Sequence, residues 1–135
     1  SQRVLELHGH MREATCTRCY REVAVDPMIE DFMEERHVPR CECGGVLKPN
    51  VILFGEQLPV RVFNQAMEEA SHSDLMLVAG SSLTVTPAAD LPYLALRNEA
   101  RGIIVNLQPT DFDQAADVVI HGDVTEVLPA IVEAL

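Results

Sequence analysis

The chain has 135 residues, 47% of them hydrophobic, with 10 Lys+Arg against 21 Asp+Glu and a formal net charge of −11. That length suits one domain, or one larger piece with a small module, and the apolar content is too high for a disordered chain. No apolar run approaches the roughly 18 residues of a membrane span, and the acidic balance opposes direct nucleic-acid binding, which needs a basic face.

In chain order, the residues around Leu5 are expected to form an apolar strand leading to His8. Four cysteines follow as two tight pairs, Cys16-Thr-Arg-Cys19 and Cys41-Glu-Cys43, with 21 residues between the pairs. Disulfides inside such short loops would be strained, and the sequence points to a reducing, cytoplasmic setting. The spacing favours four thiolates meeting the tetrahedral preference of one Zn²⁺; paired disulfides or redox-active thiols are the alternative. A site closed by four thiolates has no open position for water, so such a zinc would be structural. Gly44-Gly45 could supply the positive φ that the short second knuckle needs, and His37 is a possible substitute ligand. Between the pairs, Pro27 to Glu35 reads as a short polar helix with Met28, Ile29, Phe32 and Met33 as its apolar side. That is too little apolar surface for a core, which is why a metal is needed there.

After Pro59, the residues Val62, Phe63, Ala66, Met67 and Ala70 fall on one helical face. The run Leu75-Met76-Leu77-Val78-Ala79, ended by Gly80, suits a strand buried on both faces of a parallel sheet. Thr86-Pro87 reads as an N-cap with proline at the first helical position, leading into Ala88, Leu91 and Ala95. Ile103-Ile104-Val105 and Val118-Val119-Ile120 are two further strands. Asp123 and Glu126 resemble a capping box before Val127, Leu128, Ile131 and Leu135. Pro92 and Pro129 interrupt the last two helical patterns. Alternating strand and helix predicts an α/β fold, a parallel sheet with right-handed crossovers.

Ligands in such sheets bind beyond the carboxyl ends of the strands. Three strand ends here carry suitable groups: Gly80-Ser81-Ser82, Asn106, and Gly122-Asp123-Val124. Each alone reads as an ordinary turn. Together on one edge they point to a nucleotide site, although without a GxGxxG motif their chemistry does not name the nucleotide. Charge is also uneven. Residues 1–50 carry 7 basic and 9 acidic residues, whereas residues 51–135 carry 3 and 12, a field that favours cationic partners such as Lys-rich peptides.

These motifs occur together in a recognisable order: Leu5-Glu6-Leu7-His8-Gly9, the two Cys pairs, Leu47 to Glu56, Gly80 to Ala88, and Asn106 before Thr110. The chain resembles the C-terminal part of a sirtuin, an NAD-dependent protein lysine deacylase. The resemblance implies a Rossmann-like part at 1–9 and 49–135, the latter half of that domain, with a zinc-ribbon module inserted at 10–48. It implies that His8 is the catalytic base toward a hydroxyl of the nicotinamide ribose, a task its near-neutral ordinary pKa suits. It further implies that Val51, Phe54, Gly55 and Glu56 hold an acyl-lysine protein or peptide as an added strand. Gly80, Ser81, Ser82, Asn106, Leu107 and Val124 match NAD-contacting positions, and Cys16, Cys19, Cys41 and Cys43 match the structural Zn²⁺ site. NAD is consumed in the family reaction, which releases nicotinamide and forms O-acyl-ADP-ribose.

The sequence departs from the family pattern in places. Ser81 stands where threonine is common, and a single residue separates Cys41 from Cys43. The family's opening strand, its Gly-Ala-Gly pyrophosphate loop, and its Pro-Asp-Phe-Arg and Gln-Asn-Ile-Asp segments are not found. The resemblance therefore implies a further partner, the N-terminal half of the domain. A non-catalytic zinc-ribbon binding module, or an inactive fragment, is the alternative.

Overall fold

A computed structural model describes residues 2–134, which group into two compact units divided between Val62 and Phe63. The first unit opens with a turn. Leu7 N–H donates to the Leu5 carbonyl (3.0 Å) and Gly9 N–H to the Glu6 carbonyl (3.1 Å). No strand precedes His8 among the described residues, contrary to the expectation, because these local bonds curl the segment. Arg12 adds to them by gripping the Glu6 carboxylate at 3.0 and 2.6 Å.

Strands β1 (Gly9–Cys16), β2 (Glu22–Ala24) and β3 (Leu47–Val51) make an antiparallel sheet of order β2-β1-β3. Pro49 sits in β3, which lies at an edge of this sheet, where a missing N–H costs no ladder bond. Helix α1 (Asp26–Glu35) forms where expected, with Pro27 in its first turn. The core is small: Ala14, Cys16, Val25, Cys41 and Leu47, with Val23 and Met28 packed against it. Ile29, Phe32 and Met33 stay exposed.

The second unit follows the α/β alternation. Helix α2 (Val60–Ser71) crosses the division and buries Ala66 and Ala70. Strands β4 (Leu75–Ala79), β5 (Arg101–Asn106) and β6 (Val118–His121) are parallel in that spatial order, with Leu77 beside Ile103 and Ile103 beside Val118. Helix α3 (Asp90–Arg97) places Tyr93 and Leu96 over Val78, Ile104 and the fully buried Phe112. The Tyr93 and Phe112 rings meet edge to face at 5.2 Å. A second cluster of Ala70, Ala95 and Ala100 lets small side chains bring α2 and α3 close.

Three expectations need correction here. Strand β4 is not buried on both faces: Leu75 and Leu77 are 54% and 47% exposed, because α3 covers only the face bearing Met76 and Val78. Thr86 is not the N-cap of α3. Residues 85–90 turn first, with Ala89 N–H donating to the Val85 carbonyl (3.0 Å) and Asp90 N–H to the Pro87 carbonyl (3.1 Å). Starting at Asp90 puts Pro92 in the first helical turn, where its missing N–H would lack an intrahelical partner anyway. In helix α4 (Val124–Glu133), Asp123 is the N-cap as expected, but its carboxylate accepts from Thr125 N–H (2.7 Å) and the Thr125 hydroxyl (2.6 Å). Two bonds from one neighbour replace the expected reciprocal contact with Glu126. A capping box does occur, joining Thr110 and Asp113 at the 3-10 turn Asp111–Gln114. Pro129 is accommodated inside α4, and Leu135 lies outside the described residues. No helix among the described residues is long and apolar enough to cross a membrane.

Candidate functional site

The cysteine pairs converge. All four sulfurs lie within 4.8 Å of one another, Cys16 to Cys43 at 3.5 Å and Cys19 to Cys41 at 3.7 Å. Those separations are too long for disulfides. They approach the roughly 3.8 Å edge of a tetrahedron whose centre is about 2.3 Å from each sulfur, as in a zinc tetrathiolate. Each knuckle is closed by backbone bonds: Tyr20 N–H to the Cys16 carbonyl (3.0 Å), and Cys41 N–H to the Gly45 carbonyl (2.8 Å). Thr17 N–H joins the knuckles through the Val46 carbonyl (2.9 Å). Gly44 takes the positive φ of +83° that the short loop requires, whereas Gly45 serves close approach. A Cβ on Gly45 would stand 2.6 Å from the Cys16 sulfur.

The electrostatics suit a cation. Backbone N–H groups of Cys19 and Arg18 aim at the Cys16 sulfur and bring its thiol down to about 6. At Cys43 the Gly45 N–H favours the thiolate, but hydrogen bonding with the Cys16 and Cys19 sulfurs prevails and raises it to about 12. These four cysteines are placed to hold a structural zinc ion, whose charge would favour the thiolate form of its ligands.

His8 stands exposed at the start of β1, its backbone tied to the end of β3. Ile52 N–H donates to the His8 carbonyl (2.9 Å), and Gly9 pairs with Val51. Gly9 has φ +69°, and an added Cβ would collide with the Asn50 carbonyl oxygen. Only glycine allows this crossing. The Thr15 hydroxyl fixes the same point by donating to the Asn50 side-chain oxygen (2.6 Å). Val51 and the turn carrying Phe54, Gly55 and Glu56 follow directly, so the first unit gathers His8 with the four expected peptide-binding residues. Phe54 is 96% exposed, an unusual position for a phenylalanine.

The second unit collects the other set. Gly80 N–H donates to the Val105 carbonyl (3.0 Å) and Gly122 N–H to the Asn106 carbonyl (3.1 Å), stitching the carboxyl ends of β4, β5 and β6 into one edge. A Cβ on Gly80 would lie 3.6 Å from Val124, so these two candidates adjoin. Ser81 accepts from Leu83 N–H (3.3 Å), and Leu83 packs into the core, anchoring the loop. The Ser82 hydroxyl meets that of Thr84 at 3.0 Å. The Asn106 amide donates to the Gln108 carbonyl (2.8 Å), and Leu107 is exposed beside it. Backbone N–H groups, hydroxyls and a carboxamide on one strand edge can receive ribose and phosphate oxygens.

A sequence model described as Sir2 family matches residues 1–87, well over half of the chain. The chain belongs to the Sir2 family. It is 50% identical over 135 residues to NAD-dependent protein deacylase 2 of Archaeoglobus fulgidus, covering 98% of this chain and 53% of that protein. It is 46% identical to an NAD-dependent protein deacetylase of Caldivirga maquilingensis, covering 95% of this chain and 49% of that protein. Among solved structures, Sir2Tm bound to a propionylated peptide superposes with a TM-score of 0.93 at 38% identity, over 99% of this chain and 56% of that one. Sir2Af2 bound to a myristoylated histone peptide gives 0.89 at 50% identity, over 98% of this chain and 57% of that one. The chain thus spans about half the length of the Sir2 relatives it matches.

Several residues of this Sir2 chain were not singled out from sequence. Gly9 was read only as part of the His8 motif, and the crossing that demands it is visible only in three dimensions. Asp113 accepts from His121 Nε2 (2.9 Å) and the Thr110 hydroxyl (2.8 Å), tying the 3-10 turn to the end of β6. These two bonds hold the Asp113 carboxyl below the usual carboxylate range, the His121 bond contributing most. Lys48 contacts Glu56 at 3.0 Å; being the sole lysine, it was the one signal available.

Proposed function

We propose that this chain forms part of an NAD-dependent protein lysine deacylase, in which NAD is a consumed co-substrate. Residues 1–9 and 49–135 are assigned to the Rossmann-like part and 10–48 to the zinc module. The NAD site is completed by residues outside this span. The observation that carries the reading is the junction at His8. His8, exposed to solvent, is tied through its backbone to the end of an edge strand that runs on into a solvent-facing aromatic turn. Its relatives are named NAD-dependent deacylases and deacetylases, and solved Sir2 structures hold acylated peptides or a p53 peptide with NAD⁺.

In this reading an acyl-lysine peptide aligns along Val51, Phe54, Gly55 and Glu56 by strand addition. Gly80, Ser81, Ser82, Asn106, Leu107 and Val124 bind part of NAD. The acyl oxygen displaces nicotinamide from its ribose carbon. His8 takes the proton of a ribose hydroxyl, which adds to the acyl carbon, and water releases the lysine amine and O-acyl-ADP-ribose. The zinc takes no part in these steps; it holds the knuckles that flank β1. Thiols gathered for a metal rather than a disulfide support an intracellular, cytoplasmic location.

The test is nicotinamide release by the whole protein incubated with NAD and an acetyl-lysine peptide. Release that requires both substrates is expected. Zinc binding without any release would favour a non-catalytic module instead.

A further inference from the structure

The segment from Lys48 to Glu56 is closed on itself. Lys48 Nζ donates to the Val51 carbonyl (2.9 Å), also approaches the Pro49 carbonyl (3.4 Å), and pairs with the Glu56 carboxylate (3.0 Å). The same Glu56 oxygen accepts from Leu53 N–H (2.9 Å), while Glu56 N–H donates to the Leu53 carbonyl (3.0 Å). One ammonium and one carboxylate thus bracket the residues between them.

Which backbone groups they bracket matters. In extended chain, the carbonyl of one residue and the N–H of the next point to opposite sides. Ile52 N–H faces β1, where it meets the His8 carbonyl. The Val51 carbonyl, on the other side of the same trans peptide, therefore faces away from β1, and the Leu53 N–H is turned to the Glu56 carboxylate. These are the groups that Lys48 and Glu56 satisfy. Left bare, they would let the segment fray or pair in a shifted register.

We propose that Lys48 and Glu56 form a clasp that holds the 51–56 segment in its peptide-receiving shape, with Lys48 acting as a positioning residue. The inference rests on the deacylase reading and deepens it. It assigns Glu56 an internal partner and gives the sole lysine a role in peptide affinity. The clasp takes the Val51 carbonyl and Leu53 N–H and so leaves the backbone beyond Leu53 for an added peptide, and a segment already held has less freedom to lose when the peptide docks. The Glu56 carboxyl sits below the usual carboxylate range, first through the Leu53 N–H and then through Lys48, in keeping with the two contacts that hold it.

The experiment compares wild type, Lys48→Met, Lys48→Arg and Lys48→Gln in the whole protein, with zinc content and melting temperature as folding controls. KM for an acetyl-lysine peptide and for NAD is measured separately. Binding of a fluorescent acetyl-lysine peptide is followed by anisotropy without turnover. Lys48→Met is expected to raise peptide KM and Kd by roughly five- to tenfold, with NAD KM within about twofold of wild type. Lys48→Arg, which keeps the charge, should recover most of the affinity. Glu56→Gln removes a peptide-binding residue as well as the clasp, so Lys48→Gln, expected to weaken the peptide as Lys48→Met does, is the variant that keeps the test decisive if Lys48→Met fails to fold.

Unchanged or tighter peptide binding in Lys48→Met would overturn the clasp, as would a parallel rise in both KM values. If the wild type binds peptide but releases no nicotinamide, the deacylase reading falls while the anisotropy comparison still decides the clasp. A wild type that neither binds peptide nor turns over overturns both.

Discussion

The two units of this chain reach order by different means. In the first, the buried cluster holds no side chain larger than leucine, and two of its five members are the metal-facing Cys16 and Cys41. In the second, Phe112, Ile104 and Val105 are fully enclosed between a parallel sheet and its helices. The first is thus stabilised chiefly by cross-linking at one point, the second by apolar packing. The chemistry divides the same way. A precise crossing at Gly9 and the Lys48–Glu56 contact shape the first unit's candidate site, whereas the second unit's candidates are strand ends carried by a rigid sheet.

Chelation should break this contrast most visibly. Removing the metal, or replacing Cys16 with Ser, is expected to abolish amide protection across residues 9–51 while strands β4 to β6 keep theirs. Hydrogen exchange read by mass spectrometry checks this. Equal loss in both units would mean that the first does not depend on its metal.

Phe112→Ala probes the other side. Deleting a fully buried phenylalanine ring costs about 3–5 kcal/mol. The loss should lower protection in β4 to β6 and leave zinc stoichiometry intact, as measured by exchange and elemental analysis.

A smaller effect is expected at Asp113. Its folded-state pKa is depressed, so its contribution is fully present above the ordinary carboxylate range and is lost as pH falls through the depressed value. Asp113→Asn should therefore destabilise the 3-10 turn near neutral pH and lose its difference from wild type at low pH. Exchange in residues 110–122, followed as a function of pH, reads this directly. A difference that persists undiminished once the pH lies below the depressed carboxyl range would refute the assignment.

Legibility in the sequence tracked how local each cause is. The zinc ligands could be read because a chelating knuckle places its sulfurs within a few residues, and only the joining of the two pairs needed tertiary structure. The parallel strands were readable from the runs at Leu75, Ile103 and Val118, yet those runs did not reveal that Leu75 and Leu77 would stay exposed. Coverage of a face depends on what packs there, not on the strand's own residues. The start of α3 was misplaced because Thr86-Pro87 carries a strong local signal that the turn over 85–90 overrides. The antiparallel sheet of the first unit went unseen, since β1 is polar along much of its length and β2 has only three residues. Likewise, the contact between Lys48 and Glu56 spans a turn whose path the sequence does not specify.

The central claim is that His8 acts as base in NAD-dependent deacylation, and single-turnover formation of deacylated peptide by His8→Ala tests it most directly. A general base contributes to the transition state more than to ground-state affinity. The whole protein carrying His8→Ala is therefore predicted to bind NAD and peptide nearly as wild type while formation of the deacylated lysine falls by about 10²-fold or more. Deacylation within about threefold of wild type would contradict the account.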